Sequence, residues 1–259
     1  MILTIDIGNS NIVSILYDKE GQKLFRDRTE TIKLPDYHDY CDFLKELLEK
    51  MGNLRPSVIS ISCVVPPIKS VIEKVIHDLL PKVTCYFVSL EMVPNLKVHL
   101  DDPREIGADL IATSYGAYAS YKQPSIIADL GSATKITLVN EGELFLGGIL
   151  MPGMDFMAKG LHRMIPHLPH IDLEKPEMLL GSNTIQCIQS GIINGTLAAV
   201  KEMARGVEEE LNLECTWIMT GGLSNLFTEE DIAPYVKDDD LLSDGIYHLT
   251  RDFMKREEE

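Results

Sequence analysis

Apolar positions along this chain fall into short β-branched runs that stop at acidic turns. Ile2-Leu3-Thr4-Ile5 runs into Asp6-Ile7-Gly8-Asn9-Ser10, and Ile126-Ile127-Ala128 runs into Asp129-Leu130-Gly131-Ser132-Ala133-Thr134. Each is followed by a second apolar run, a polar turn containing glycine (Asp18 to Gly21; Asn140 to Gly142) and a third run. The pattern predicts, twice, a strand, a tight turn carrying a carboxylate, and a hairpin.

The stretches between read as alternating helices and strands. Asp36 to Met51 places Phe43, Leu44, Leu47, Leu48 and Met51 on one face, with Pro35 before it and Gly52 after it. Val58 to Cys63 reads as a strand, Pro67 to Leu80 as an amphipathic helix and Thr84 to Val88 as a strand. Pro94 to Pro103 is rich in turn signals, and Glu105 to Tyr121 reads as a helix. The second set of strands spans Ser125 to Leu150. A helix to about Met164, a proline-containing loop from His167 to Gly181 and a long helix from Asn183 to Leu211 follow. Thr216 to Met219 reads as a strand ending at Thr220-Gly221-Gly222, and Leu241 to Met254 as the last helix. Alternation of this kind predicts an α/β fold. The duplication predicts two similar lobes, residues 1–118 and 119–259.

Of the 259 residues 45% are apolar, enough for a sizeable core, yet no apolar run is long enough to span a bilayer. The start, Met-Ile-Leu-Thr-Ile-Asp, lacks the basic and apolar regions of a secretory leader. The net charge of −16 argues against nucleic acid and anionic membranes as partners. Asp238-Asp239-Asp240 and the tail Lys255 to Glu259 read as solvated surface. Five cysteines (Cys41, Cys63, Cys85, Cys187, Cys215) form no Cys-x-x-Cys pair and read mostly as buried thiols, which predicts a cytoplasmic location.

The turns carry the candidate chemistry. Gly8 allows a sharp turn after the first strand, so that N–H groups from Gly8 to Asn11 converge on one anion while Asp6 holds Mg²⁺ through water. A single Asp-x-Gly is an ordinary turn. Two of them, each at the end of an apolar strand, point to polyphosphate held between two lobes. Gly221-Gly222 adds a close backbone approach for adenosine.

Asp6-x-Gly-Asn, Pro103-x-x-x-Gly107-x-Asp109, Asp129-x-Gly-x-Ala-Thr134, Gly147-Gly148-Ile-x-x-Pro152-Gly153, Asn183-Thr184 and Thr220-Gly221-Gly222 occur in this order. The set resembles the type III pantothenate kinases, within the actin/hexokinase/acetate kinase ATPase superfamily of ribonuclease H-like lobes with a nucleotide cleft between them. The resemblance implies transfer of the γ-phosphoryl of Mg-ATP to the primary hydroxyl of pantothenate, the first step towards coenzyme A. It implies a homodimer with the acceptor site at its interface, and a monovalent cation, K⁺ or NH₄⁺. By position it implies that Asp6, Ile7, Gly8, Asn9, Ser10, Asn11, Ile12 and Val13 cradle the phosphates, Ser132 contacts ATP and Asp129 holds the monovalent cation. Leu100, Gly107, Ala108, Asp109, Leu110 and Thr184 would line the acceptor pocket, with Asp109 as general base. On spacing alone, Asp109 reads first as an aspartate that caps a helix start, an order that the resemblance reverses, and Thr184 shares a capping reading with Asn183.

The chain departs from that family at three places. Leu110 stands where the family has arginine, Leu100 where it has an aromatic residue, and Lys135 where it has a small polar residue. Loss of the arginine contact costs roughly 1.5–3 kcal/mol of acceptor binding unless Arg104 or Lys135 compensates. Two further readings therefore stand beside the first: a kinase of the same fold with another hydroxylated acceptor, and a weakened nucleotide-binding paralogue acting as an accessory protein. His162, His167 and His170 read as a surface loop rather than a metal site. Met151, Met154, Met157 and Met164 read as core or dimer surface, and Gly191, Gly195 and Gly206 as points of close helix approach.

Overall fold

The computed structural model describes residues 1–32 and 36–258. Pro35 and Glu259, which figure in the expected helix start and acidic tail, lie outside the described residues. The chain divides into two compact units: Met1–Ala119 together with the last helix, and Ser120–Asp240.

The first unit is built on β1 (Ile2–Ile7), β2 (Asn11–Tyr17), β3 (Lys23–Glu30), β4 (Val58–Cys63) and β5 (Thr84–Phe87), in the order β3-β2-β1-β4-β5. β2 runs antiparallel to β1 and β3, while β4 runs parallel to β1 and β5. The β2–β3 turn is made by Gly21 at φ 89° and by the Asp18 carboxylate, which accepts from the N–H groups of Glu20 and Gln22. α1 (Tyr37–Lys50) is capped by Asp36, which accepts from His38 N–H, and α2 (Pro66–Leu79) opens on two prolines. Their apolar faces cover one side of the sheet, where Leu3, Ile5, Ile7, Leu44, Ile59, Ile61, Ile68 and Ile72 are fully buried.

The sheet's other side carries Thr4, Ser60 and Ser62, small polar residues that alternate with the core. Alternation of that kind resembles a solvent face, yet all three are fully buried. A short strand, β6 (Lys97–Val98), and helix α3 (Ala108–Ser120) follow in the chain. The cover is the last helix, α7 (Leu241–Glu258), which packs on β1, β2 and β4. Tyr247 stacks on Tyr17 at 4.6 Å, and Thr250 Oγ1 donates to Ser60 Oγ at 2.6 Å. The expected break after residue 118 lies within one residue of the observed one, between Ala119 and Ser120, but the placement of the last helix needs correction. The C-terminal helix, expected in the second lobe, belongs to the first unit because small side chains there admit a helix that buries Leu241, Ile246 and Leu249.

The second unit repeats the plan. Its strands are β7 (Ser125–Leu130), β8 (Ala133–Asn140), β9 (Glu143–Pro152), β10 (Thr216–Thr220) and β11 (Val236–Lys237), ordered β11-β10-β7-β8-β9, with β7 in the place of β1. α4 (Met154–Met164) and α5 (Thr184–Leu211) bury Met154, Ala158, Ile192, Ile193 and Val200 against the sheet; α6 (Glu229–Ile232) carries a capping box. α5 is capped by Asn183, whose side chain accepts from Gln186 N–H at 3.0 Å, and ends at Asn212 in the left-handed conformation. Of the cysteines only Cys41 is fully buried and Cys187 is exposed, so the expectation of mostly buried thiols holds only in part. Burial still pushes the thiols of Cys63, Cys85 and Cys215 upward.

Candidate active site

In the first unit, the central strand β1 carries Asp6 next to its C-terminal end, where it stands across from Val13. The turn that follows is braced: Gly8 N–H donates to Asn11 O at 3.0 Å, Thr31 Oγ1 donates to Gly8 O at 2.7 Å, and Thr31 N–H donates to Ser10 O. Gly8 therefore closes the turn with its own N–H, and the nest expected from Gly8 to Asn11 loses that donor. Asn9 and Ser10 are exposed at the tip. Ile7 and Ile12 are core residues, so they support the turn and leave only backbone for a ligand.

Asp109 lies in the first turn of α3, half-buried. Its Oδ1 accepts the N–H of Leu110 at 2.8 Å. Gly107 makes this possible, since a Cβ there would crowd the same oxygen. Ala108, Leu110 and Leu100 are half-buried near the same stretch of chain. Arg104, one candidate to replace the missing arginine, is engaged elsewhere. Its guanidinium makes a two-point contact with Asp102 at 2.9 and 2.8 Å, which holds the Asp102 carboxyl below the usual range.

In the second unit, three separated segments meet at the Asp129 turn. Gly131 N–H donates to Ala133 O, the counterpart of the Gly8 bond. Gly153 lies on the carbonyl oxygens of Gly131 and Ser132, so closely that any side chain would collide. Gly221, at φ 91°, lies on the Asp129 side chain and the Leu130 backbone, with Gly222 exposed beside it. Ser132 is exposed at the tip. Across the ladder from Asp129 stands Lys135, its Nζ 2.8 Å from Asp129 Oδ2. That pairing is legible in the strand register but not in composition. It also removes Lys135 as a simple substitute for the missing arginine.

Thr184 is the first residue of α5 and exposed; the cap is Asn183, which leaves the threonine hydroxyl for another role. Among the described residues no group of three His, Cys, Asp or Glu side chains can hold a metal ion, and His162 Nδ1 instead meets Leu168 O at 2.9 Å. No helix among the described residues is long and apolar enough to cross a membrane. A shallow apolar groove in the second unit is lined by Phe156, Met157, Gly160, Met164, Cys187 and Gly191. Met154 is core, whereas Met164 is among the most exposed apolar residues.

Comparison with known proteins bears on the fold and on the family. Among solved structures, component A of (R)-2-hydroxyglutaryl-CoA dehydratase from Acidaminococcus fermentans superposes with a TM-score of 0.55 at 11% identity, covering 100% of this chain and 99% of that one. The activator of 2-hydroxyisocaproyl-CoA dehydratase from Clostridium difficile, solved with bound ADPNP, gives 0.54 at 12% identity, covering 100% and 97%. These likenesses show the actin-like ATPase and sugar-kinase fold. A type III pantothenate kinase from Bacillus cytotoxicus is 33% identical over 251 residues, 96% of this chain and 95% of that protein. The family model for type III pantothenate kinases matches residues 2–206, a span that contains both Asp-x-Gly turns, Asp109 and Thr184. With that coverage of its length, the chain belongs to the type III pantothenate kinase family.

Proposed function

We propose that this protein phosphorylates pantothenate with ATP, forming 4'-phosphopantothenate at the head of coenzyme A synthesis in the cytoplasm. The observation that carries the reading is the held carboxylate of Asp109 at the start of α3, inside the matched family span. In-line attack on a γ-phosphoryl group needs positioning, charge stabilisation and a nearby proton acceptor. Asp109 takes the proton from the primary hydroxyl. Residues Asp6 to Val13 hold the phosphates, chiefly through the Asn9–Ser10 tip. Ser132 contacts ATP, and Gly221 and Gly222 receive the adenosine.

The carboxylate of Asp6, at a strand end beside an exposed turn, suits a hard divalent cation that prefers oxygen ligands and keeps its waters. Mg²⁺ bound there would neutralise charge on the phosphates. Leu100, Gly107, Ala108 and Leu110 form the acceptor side, and Thr184 Oγ1 with the first N–H groups of α5 takes the pantothenate carboxylate. The exposed groove around Phe156 and Met164 suits a homodimer, and Gly191 and Gly195 have open space before them where a second helix could approach.

A second reading is favoured by one observation: Leu110 carries no charge and Arg104 is held by Asp102. Under it, the acceptor is a different primary alcohol. Assay of phosphoryl transfer from Mg-ATP to pantothenate, beside a panel of hydroxylated acids and neutral alcohols, decides between them. Transfer to pantothenate that disappears in Asp109→Asn is the expected result. Transfer to another acceptor alone sinks the first reading, and ATP binding without any transfer sinks both.

A further inference from the structure

Asp129 is the position at which the family resemblance places a monovalent cation, and the side chains present here do not fit one. Lys135 Nζ lies 2.8 Å from Asp129 Oδ2, and both side chains are largely covered, 19% and 17% exposed. The other carboxylate oxygen packs against the backbone at Gly131 and Gly221. A free cation brought to this carboxylate would meet the lysine ammonium at close range, and like charges in a partly buried site repel.

The register explains how the lysine gets there. Asp129 and Lys135 are direct partners across the β7–β8 ladder, so both side chains leave the same face of the sheet. The first unit provides the control. Its aspartate, Asp6, stands across β1–β2 from Val13. The hairpin therefore folds with an apolar residue at that position, and the lysine is not demanded by the architecture. An ammonium is a compact single positive charge with three donors, the same chemistry as NH₄⁺ carried on a stem.

We infer that Lys135 is this protein's built-in monovalent cation: its ammonium does at Asp129 what K⁺ or NH₄⁺ would do, and the enzyme needs neither. The inference rests on the reading of the second turn as nucleotide-facing. Its charge is fixed by the chain, so its supply does not depend on the salt around the protein.

The test uses the full chain in buffer whose only counter-cation, besides Mg²⁺, is tetramethylammonium, with K⁺ or NH₄⁺ added back. Pantothenate phosphorylation and Mg-ATP binding by calorimetry are both read. Wild-type turnover and ATP affinity are expected to be unchanged by either cation. Lys135→Met is expected to lose about tenfold to hundredfold in tetramethylammonium and to recover in K⁺ or NH₄⁺, the size of a lost charge-assisted contact. A wild-type enzyme that requires K⁺ or NH₄⁺ overturns the inference. So does a Lys135→Met variant that is folded, fails to bind ATP and is rescued by neither cation, because the lysine then touches the nucleotide itself. If wild type binds ATP indifferently to K⁺ but phosphorylates no pantothenate, the kinase reading fails and the cation inference stands. Should Lys135→Met not fold, as read by circular dichroism, Lys135→Gln replaces it, and the wild-type salt titration decides independently of either variant.

Discussion

Gly116 of α3 and Gly245 of α7 meet backbone to backbone: a Cβ on Gly245 would stand 2.8 Å from Gly116 N and would overlap the Ala112 carbonyl oxygen. The contact ties α3, which carries Asp109, to the helix that covers the first sheet. In an exposed helix, exchange of glycine for alanine stabilises by about 1 kcal/mol. Gly245→Ala is expected to do the opposite, destabilising by about 1–3 kcal/mol through overpacking. A chemical-denaturation midpoint that rises in this variant would refute the contact. Gly195→Ala, with nothing within 4 Å of the added Cβ, is the control and should stabilise the monomer.

Asp109→Asn keeps the shape of the α3 start and removes the proton acceptor. Turnover should fall by about 10²–10⁴-fold, the usual worth of general base catalysis, with ATP affinity intact. Stopped turnover accompanied by lost ATP binding would instead indicate a structural role.

Leu110→Arg restores a charge where the acceptor carboxylate is proposed to lie. The KM for pantothenate should drop about tenfold to hundredfold with little change in kcat. An unchanged KM would show that the acceptor does not reach this position.

Gly221→Ala asks an L-residue to adopt φ 91° and drives a Cβ into Asp129 and Leu130. The strained backbone alone costs about 1–3 kcal/mol. A lower melting temperature together with weaker ATP binding is expected. Unchanged ATP affinity in the folded variant would detach this turn from the nucleotide.

His248 gives the stability a pH dependence. Burial lowers its pKa, with Arg251 and Lys23 acting in the same direction and Asp244 and Asp252 opposing; its Nδ1 has no hydrogen-bond partner among the described residues. The unfolded chain therefore takes the proton first, at about pH 6.5. Stability is unaffected above that pH and falls as pH drops below it, until the folded state is protonated too. The carboxylate of Asp231, brought down to about 2 chiefly by its hydrogen bond from Lys175, loses its contribution only at much lower pH. Urea midpoints measured across about pH 5–7 should slope upward in wild type and flatten in His248→Gln. An equal slope in both would refute the assignment.

Much of this protein was written locally. The order of strands and helices, the glycine turns at Gly21 and Gly142, the Asn183 cap and both Asp-x-Gly turns follow from residues close together in sequence. Turn chemistry and periodicity act over a few positions, and the spaced motifs identify the family because each marks such a turn. Tertiary structure decided the rest, through contacts between distant segments. Thr4, Ser60 and Ser62 alternate like a solvent face, and only α7, about 190 residues after Ser60, shows that they are small in order to admit a helix. Gly153 and Gly221 have their meaning at the Asp129 turn, where one lies on the turn's carbonyl oxygens and the other on the Asp129 carboxylate. In the sequence Lys135 is a cation in place of a small polar residue, a candidate to replace the missing arginine. The ladder that sets it opposite Asp129 turns it into a partner, because a strand pair fixes which side chains share a face and a list of residues does not.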